Sequence, residues 1–404
     1  MLLQHILERA KMQNNEVKRS VPALAYLSIL AVSMTMFIIN ATLVPLSVFF
    51  NVDIVHISWT VSCLGIGRMS TQIFCGKLAD KYGRKIITLI GMVLMFVFFI
   101  GMPLTNSFVM TLVLTTIGGM GYGMVNTSML AVIFDCFAPV GKNATAQSYV
   151  QLFFAGGGVI IPFIAEKALS KGINWSYLYW GCAIYTLILT ICIFIVKFPK
   201  QYKKQATDAG FIIKPSLLKE GVLLCAAVFF IYSTGLISST WISILASESF
   251  SIDSILALRA LTIYNLGSVI GTIVFAQLVK KIHGTILLMV NAVVALISFS
   301  VCLLTSSMII FFMAAFMAGF VVAISFNIGV SVGGEMFSDN AATISGWISV
   351  MSGLAGLTMP IIVGALKDSF GLRKAFSFVV VLLVIAILVT SILRKRYLRI
   401  KYNK

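Results

Sequence analysis

Twelve stretches of this chain, each about twenty residues or longer, are apolar enough to cross a lipid bilayer as helices. They run over 23–50, 57–79, 86–104, 108–134, 146–169, 177–198, 221–246, 255–279, 286–304, 308–333, 343–366 and 374–392. In hydrocarbon every backbone N–H and C=O must find its partner within the protein, and a single apolar run achieves this only as a helix. Composition agrees. Hydrophobic residues make up 59% of the chain and charged residues 11%, too few to give a soluble protein of 404 residues a polar surface. The expectation is an all-α membrane protein with twelve transmembrane helices.

The net charge of +17 raises the question of nucleic acid, and its distribution answers it. With the amino terminus inside, 23 of the 30 Lys and Arg residues fall on cytoplasmic segments, six outside and one, Arg68, within the membrane. This is the positive-inside pattern of a multi-pass protein with both termini cytoplasmic. The basic tail suits anionic lipid headgroups, and no nucleic-acid partner is expected. Residues 1–22 form a polar, basic segment whose apolar stretch is too short for a secretory signal, and Met12 is an alternative start. The seven cysteines lie within or at the end of apolar runs, so neither disulfides nor a metal site is expected.

The chain repeats itself. The segment Gly76 to Lys85 is echoed by Ala276 to Gly284, Gly158 to Pro162 by Gly356 to Pro360, and Asn143-Ala144-Thr145 by Asn340-Ala341-Ala342-Thr343. Three echoes at nearly one offset divide the chain into pseudo-symmetric six-helix bundles, 23–198 and 221–393. A polar linker, 199–220, joins them, and 394–404 forms a basic cytoplasmic tail.

Between the second and third apolar runs lies Gly76-Lys77-Leu78-Ala79-Asp80-Lys81-Tyr82-Gly83-Arg84-Lys85. It resembles the G-x-x-x-D-(R/K)-x-G-R-(R/K) signature of the major facilitator superfamily. In that family the motif joins the second and third helices on the cytoplasmic side. Gly76 would permit close helix approach and Gly83 a tight turn. The resemblance implies that Asp80 meets the start of helix eleven and that Arg84, beside Lys85, pairs with an acid ending helix four, here Asp135. Together they would latch the cytoplasmic gate in the outward-facing state. It further implies a monomer whose halves rock about a central site, lined mainly by helices one, four, seven and ten. Helix seven, with Phe230-Ile231-Tyr232 through Trp241, is similar to the fucose-glucose permease branch, but Gly235 and Leu236 stand where that branch often has a glutamate. The arginine that drug–proton antiporters place in helix four is absent from 114–119.

Arg68, mid-helix, is the sharpest candidate for a solute contact, because a cation there costs at least a few kcal/mol unless compensated. At 100° per residue, Ser58, Ser62, Gly65, Arg68, Gln72, Gly76 and Asp80 share one arc of the helix, with Ile66, Ile73, Phe74 and Leu78 outside it. Arg68 would bind an anionic group with Gln72 beside it, or else act as an interhelical anchor. Asn40, Asn126, Gln151, Tyr232, Trp241, Asn265, Asn327 and Trp347 complete the candidate lining, in amides, hydroxyls and aromatic faces suited to a small polar solute. No carboxylate sits clearly at mid-membrane, and His5, His56 and His283 are peripheral. Proton coupling would therefore need a gate residue such as Asp53 or Glu248, or the solute would carry the proton or its own gradient. No catalytic cluster, cofactor motif or metal-ligand spacing is present. The expected function is a secondary transporter in a plasma membrane, of bacterial source, moving a small polar or anionic organic solute by alternating access. Proton-coupled multidrug or metabolite efflux is the alternative.

Overall fold

The computed structural model describes residues 20–137, 143–199, 215–279, 281–322, 324–337 and 341–402. The amino-terminal cations, Lys142, Lys280 and most of the linker lie outside the described residues. The first half comprises spans one to six: Ser20–Phe50, Ile54–Tyr82, Arg84–Leu104, Phe108–Phe137, Asn143–Ser170 and Ser176–Ile195. A π turn, Leu217–Gly221, leads into span seven, Val222–Phe250, followed by spans eight, Ser254–Leu278, and nine, Gly284–Leu304. Span ten is Met308–Val322 continued by Ser325–Met336, span eleven is Ala341–Phe370, and span twelve is Leu372–Phe376 continued by Phe378–Tyr402. Eleven of these helical segments are long and apolar enough to cross a membrane. Span two, at 29 residues, is long enough but interrupts its apolar residues with Arg68, Gln72 and several hydroxyls.

The repeat is written into the helix ends. Asn51 and Ser251 both turn through positive φ. Two residues on, Asp53 and Asp253 cap spans two and eight, their carboxylates accepting from the His56 and Ile255 backbone N–H groups at 2.7 Å. Thr105 and Thr305 hydroxyls accept from Ser107 and Ser307 N–H at 3.1 and 3.0 Å between the next pair of spans. Each feature recurs two hundred residues later, so the halves are copies of one six-helix plan.

Two of the helix ends that differ from the sequence expectation are set by side chains. Span two begins at Ile54 because the Asp53 cap starts the helix earlier than the apolar run does. Span twelve continues to Tyr402, ten residues past the apolar stretch, because its basic turns find acids. Arg396 donates to Glu220 at 2.9 Å and Lys401 to Glu335 at 2.9 Å. Glu220 is buried and also accepts from Ser216 N–H at 2.9 Å, which orders the last residues of the expected linker.

Spans three and six face outward. Ile86, Ile90, Val93, Val97, Ile100 and Leu104 form an exposed stripe on span three, and Ile184, Ile188, Ile191 and Ile195 one on span six. At helical spacing these are surfaces for lipid, while Thr, Ser and Asn side chains are buried inside. Within each half, spans two and four, and eight and ten, touch backbone to backbone through reciprocal glycines. A Cβ on Gly67 would lie 2.1 Å from the Thr116 carbonyl oxygen and one on Gly119 2.2 Å from that of Leu64. The second half repeats this with Gly267 against Phe316 at 2.1 Å and Gly319 against Tyr264 at 1.9 Å.

Helix–helix attraction in lipid depends on such close approach, so an added methyl must push the backbones apart. Gly119→Ala and Gly319→Ala are each expected to cost about 1–3 kcal/mol and lower the melting temperature of the detergent-solubilised protein. Gly181→Ala, where nothing lies within 4 Å, leaves it unchanged. Equal melting of all three would contradict the packing assigned to these glycines.

Candidate functional site

The halves meet mainly along two helix pairs, span two with eleven and span five with eight. On the first pair a Cβ at Gly364 would touch Val55, one at Gly65 would strike the Gly356 and Leu357 backbone, and one at Gly353 would meet Met69. Arg68 reaches Ser352 at the next turn. One step further, the corresponding positions Gly76 and Gly346 have nothing within 4 Å. Among the described residues the seam is therefore closed from the Asp53 end to mid-span and parted toward the hairpin at Gly83. Among the described residues Gly76 has no close helix neighbour in this state. The second pair is closed at the same end as Asp53 by Glu166 and Arg259 at 2.9 Å, and at mid-span by Gly158 against Asn265.

Arg68 sits at the fork. It is 8% exposed, and the arc read from the sequence faces inward as expected: Ser58 and Ser62 are buried while Ile66 and Phe74 are exposed. Its Nε donates to Gln72 Oε1 at 3.3 Å, Nη1 to the Tyr232 hydroxyl at 3.1 Å and Nη2 to Ser352 Oγ at 2.5 Å. The last two bonds cross from the first half to the second. The guanidinium also lies 5.1 Å from the Tyr122 ring centre and 5.8 Å from that of Tyr232, within cation–π range. Among the described residues no carboxylate is within ion-pair distance, so a buried cation is held by neutral groups alone.

From Arg68 an aromatic chain runs into each half. Tyr122 meets Phe154 edge-on at 6.4 Å, and Tyr232 meets Phe326 at 5.7 Å. The chains converge where Asn327 Nδ2, beside Phe326, donates to Gln151 Oε1, one turn from Phe154, at 3.2 Å. Arg68, Gln72, Gln151, Tyr232 and Asn327 thus belong to one constellation across the seam. Ser352, Tyr122, Phe154 and Phe326 join it without having been picked from the sequence. Only their helical register, and for Tyr122 the adjoining glycines, hinted at it.

Other candidates lie elsewhere. Asn265 is buried in the five–eight seam and donates to its own helix at Leu261. Trp241 is fully buried, and neither its indole N–H nor the amide of buried Asn40 has a partner among the described residues. Asn40 borders a cavity of about 450 Å³ near the Phe50 and Phe250 ends, together with Ser243 and Glu248. Asn126 and Trp347 are half-buried on spans four and eleven.

At the hairpin, Gly83 adopts φ +93°, a conformation that favours glycine. Arg84 donates to Asp135 and to the Ala131 carbonyl, with the acid fully buried. Lys85 reaches the Phe194 carbonyl at 2.7 Å. The Asp80 side chain lies outside the described residues. Because Arg84 and Asp135 join spans three and four of the same half, their pair holds while the seam is parted. The second half has an equivalent that the sequence reading passed over: His283 Nε2 lies 3.0 Å from Glu335, which also accepts from Tyr397 at 2.8 Å.

The family model for the Major Facilitator Superfamily matches residues 25–307 and 223–401. The uncharacterized MFS-type transporter YfkL of Bacillus subtilis is 23% identical over 92% of this chain and 95% of its own length. The inner membrane transport protein YdiN of Escherichia coli is 26% identical over 84% of this chain and 82% of its own. The crystal structure of a D-xylose–proton symporter superposes with a TM-score of 0.74 at 14% identity, covering 92% of this chain and 96% of the symporter.

Removing one partner of a buried ion pair strands the other, at a cost of about 3–5 kcal/mol. Arg84→Met is therefore expected to destabilise the protein strongly, and the Arg84→Met, Asp135→Leu double variant less than Arg84→Met alone. Thermal melting of the set checks this; a double variant as unstable as the sum of the singles would mean the two side chains do not act as a pair.

Proposed function

Since this chain belongs to the major facilitator superfamily, a family of multi-pass membrane transporters and not of enzymes, we propose that it moves a small anionic organic solute through the Arg68 site by alternating access. The excess of Lys and Arg supports a cytoplasmic hairpin end, with both termini inside and the state described above inward-facing. A solute entering the parted cleft reaches the fork of the seam, where the guanidinium waits.

The observation that carries this reading is the charge on Arg68, which is buried and held by three neutral oxygens. A carboxylate forms shorter and roughly twofold stronger bonds to a guanidinium than a hydroxyl does, and can be gripped bidentately. It would compete with Tyr232 and Ser352, the contacts that tie the halves together at mid-membrane, so binding and loosening of the seam are linked. The interhelical-anchor role of Arg68 is the resting form of the same site.

Transport then needs the cation and not merely a donor of similar length. Arg68→Gln is expected to fold and melt like the parent yet lose counterflow of any carboxylate that stabilises the purified parent in a thermal-shift screen of small metabolites. A variant that binds and exchanges such a solute at the parent rate would remove Arg68 from the site. Stabilisation of the parent only by bulky lipophilic cations would point to efflux.

A further inference from the structure

The belt around Arg68 carries more than a charge. Its two arms, Tyr122 with Phe154 and Tyr232 with Phe326, come one from each half, start at the same guanidinium and meet again at the Gln151–Asn327 bond. Phe154, Tyr232 and Phe326 are half-buried, unlike the fully packed Phe98, Phe99 and Phe299 of the bundle interiors, so part of each ring stays open to a solute. Among the described residues the amide pair of the belt, Gln151 and Asn327, is already bonded to itself, so a polyol would have to displace it. A lipophilic cation would meet the like charge of Arg68.

We propose that the solute is a flat aromatic carboxylate, its carboxylate on Arg68 and its ring between the aromatic arms of the two halves. This rests on the reading of Arg68 as an anion site and names the class of anion. Aromatic rings prefer offset or edge-on neighbours at about 4.5–7 Å, the spacing the belt already shows between its own members. A ring inserted between the arms replaces cross-half contacts with contacts through the solute. A substituent para to the carboxylate would point away from Arg68 toward the Gln151–Asn327 pair.

The test measures binding of benzoate, 4-hydroxybenzoate, cyclohexanecarboxylate and benzyl alcohol to the purified full chain by calorimetry. Benzoate and 4-hydroxybenzoate are expected to bind at least about fivefold more tightly than cyclohexanecarboxylate, with benzyl alcohol weakest. Phe154→Leu combined with Phe326→Leu keeps apolar walls and is expected to bring the benzoate-to-cyclohexanecarboxylate ratio close to one while carboxylate binding persists. Arg68→Gln loses all three acids. If cyclohexanecarboxylate binds as well as benzoate to the parent, and both need Arg68, the aromatic class is wrong and the anion site stands. If no carboxylate binds, the anion site itself is overturned. An aromatic preference that survives in the double phenylalanine variant, with its melting unchanged, would place the ring elsewhere.

Discussion

A guanidinium halfway through a lipid-spanning helix cannot be left to face hydrocarbon, and the cost of burying it organises the centre of this protein. Arg68 must turn inward, so its helix must present a polar arc to other helices. Ser58, Ser62 and Gln72 lie on that arc, while Ile66 and Phe74 are given to the surface. The partners available inside are hydroxyls of span seven and span eleven, which belong to the other half. One buried cation thereby ties two bundles together at mid-membrane. Because its partners are neutral, the tie is one an anion can outcompete.

The repeat makes the asymmetry of the site intelligible. At an offset of two hundred residues Arg68 corresponds to Ser268, a hydroxyl that bonds to the Gly319 carbonyl and does no more than join helices. Gly65 against Gly356 in one seam corresponds to Asn265 against Gly158 in the other, so both seams close by a small residue receiving its neighbour. The scaffold is duplicated, with glycines at 67 and 119 copied at 267 and 319. The chemistry is not: the cation occurs in one copy only, at Arg68 and not at Ser268. The same divergence marks the hairpin ends, where Arg84 with Asp135 is matched by His283 with Glu335.

Much of this was legible before any coordinates. The helices follow from apolar runs whose length is dictated by bilayer thickness, and the inward arc of span two from the 100° spacing of its polar residues. What periodicity cannot give is which helices face each other across the seam. Ser352, Phe154 and Phe326 therefore went unnoticed, since a serine or phenylalanine in an apolar helix carries no mark of its neighbour. Asn40 and Trp241 stood out as polar groups in apolar sequence, yet they pack into the closed end and not beside Arg68. Helix ends held by side chains also escaped the apolar count. Asp53 extends span two backward, and Glu335 with Glu220 carries span twelve ten residues beyond its hydrophobic stretch.

The central claim is that the two halves rock about the level of Arg68, so the ends of the cleft move in opposition. Paired spin labels read this directly in a variant lacking the seven native cysteines, with one pair at Tyr82 and Lys281 on the hairpin end and another at Lys171 and Lys374 on the opposite end. Distance distributions collected across conditions that shift the conformational balance should change in antiphase, the first pair shortening as the second lengthens. Distances that stay fixed, or that lengthen and shorten together, would contradict a seam that pivots at the buried guanidinium.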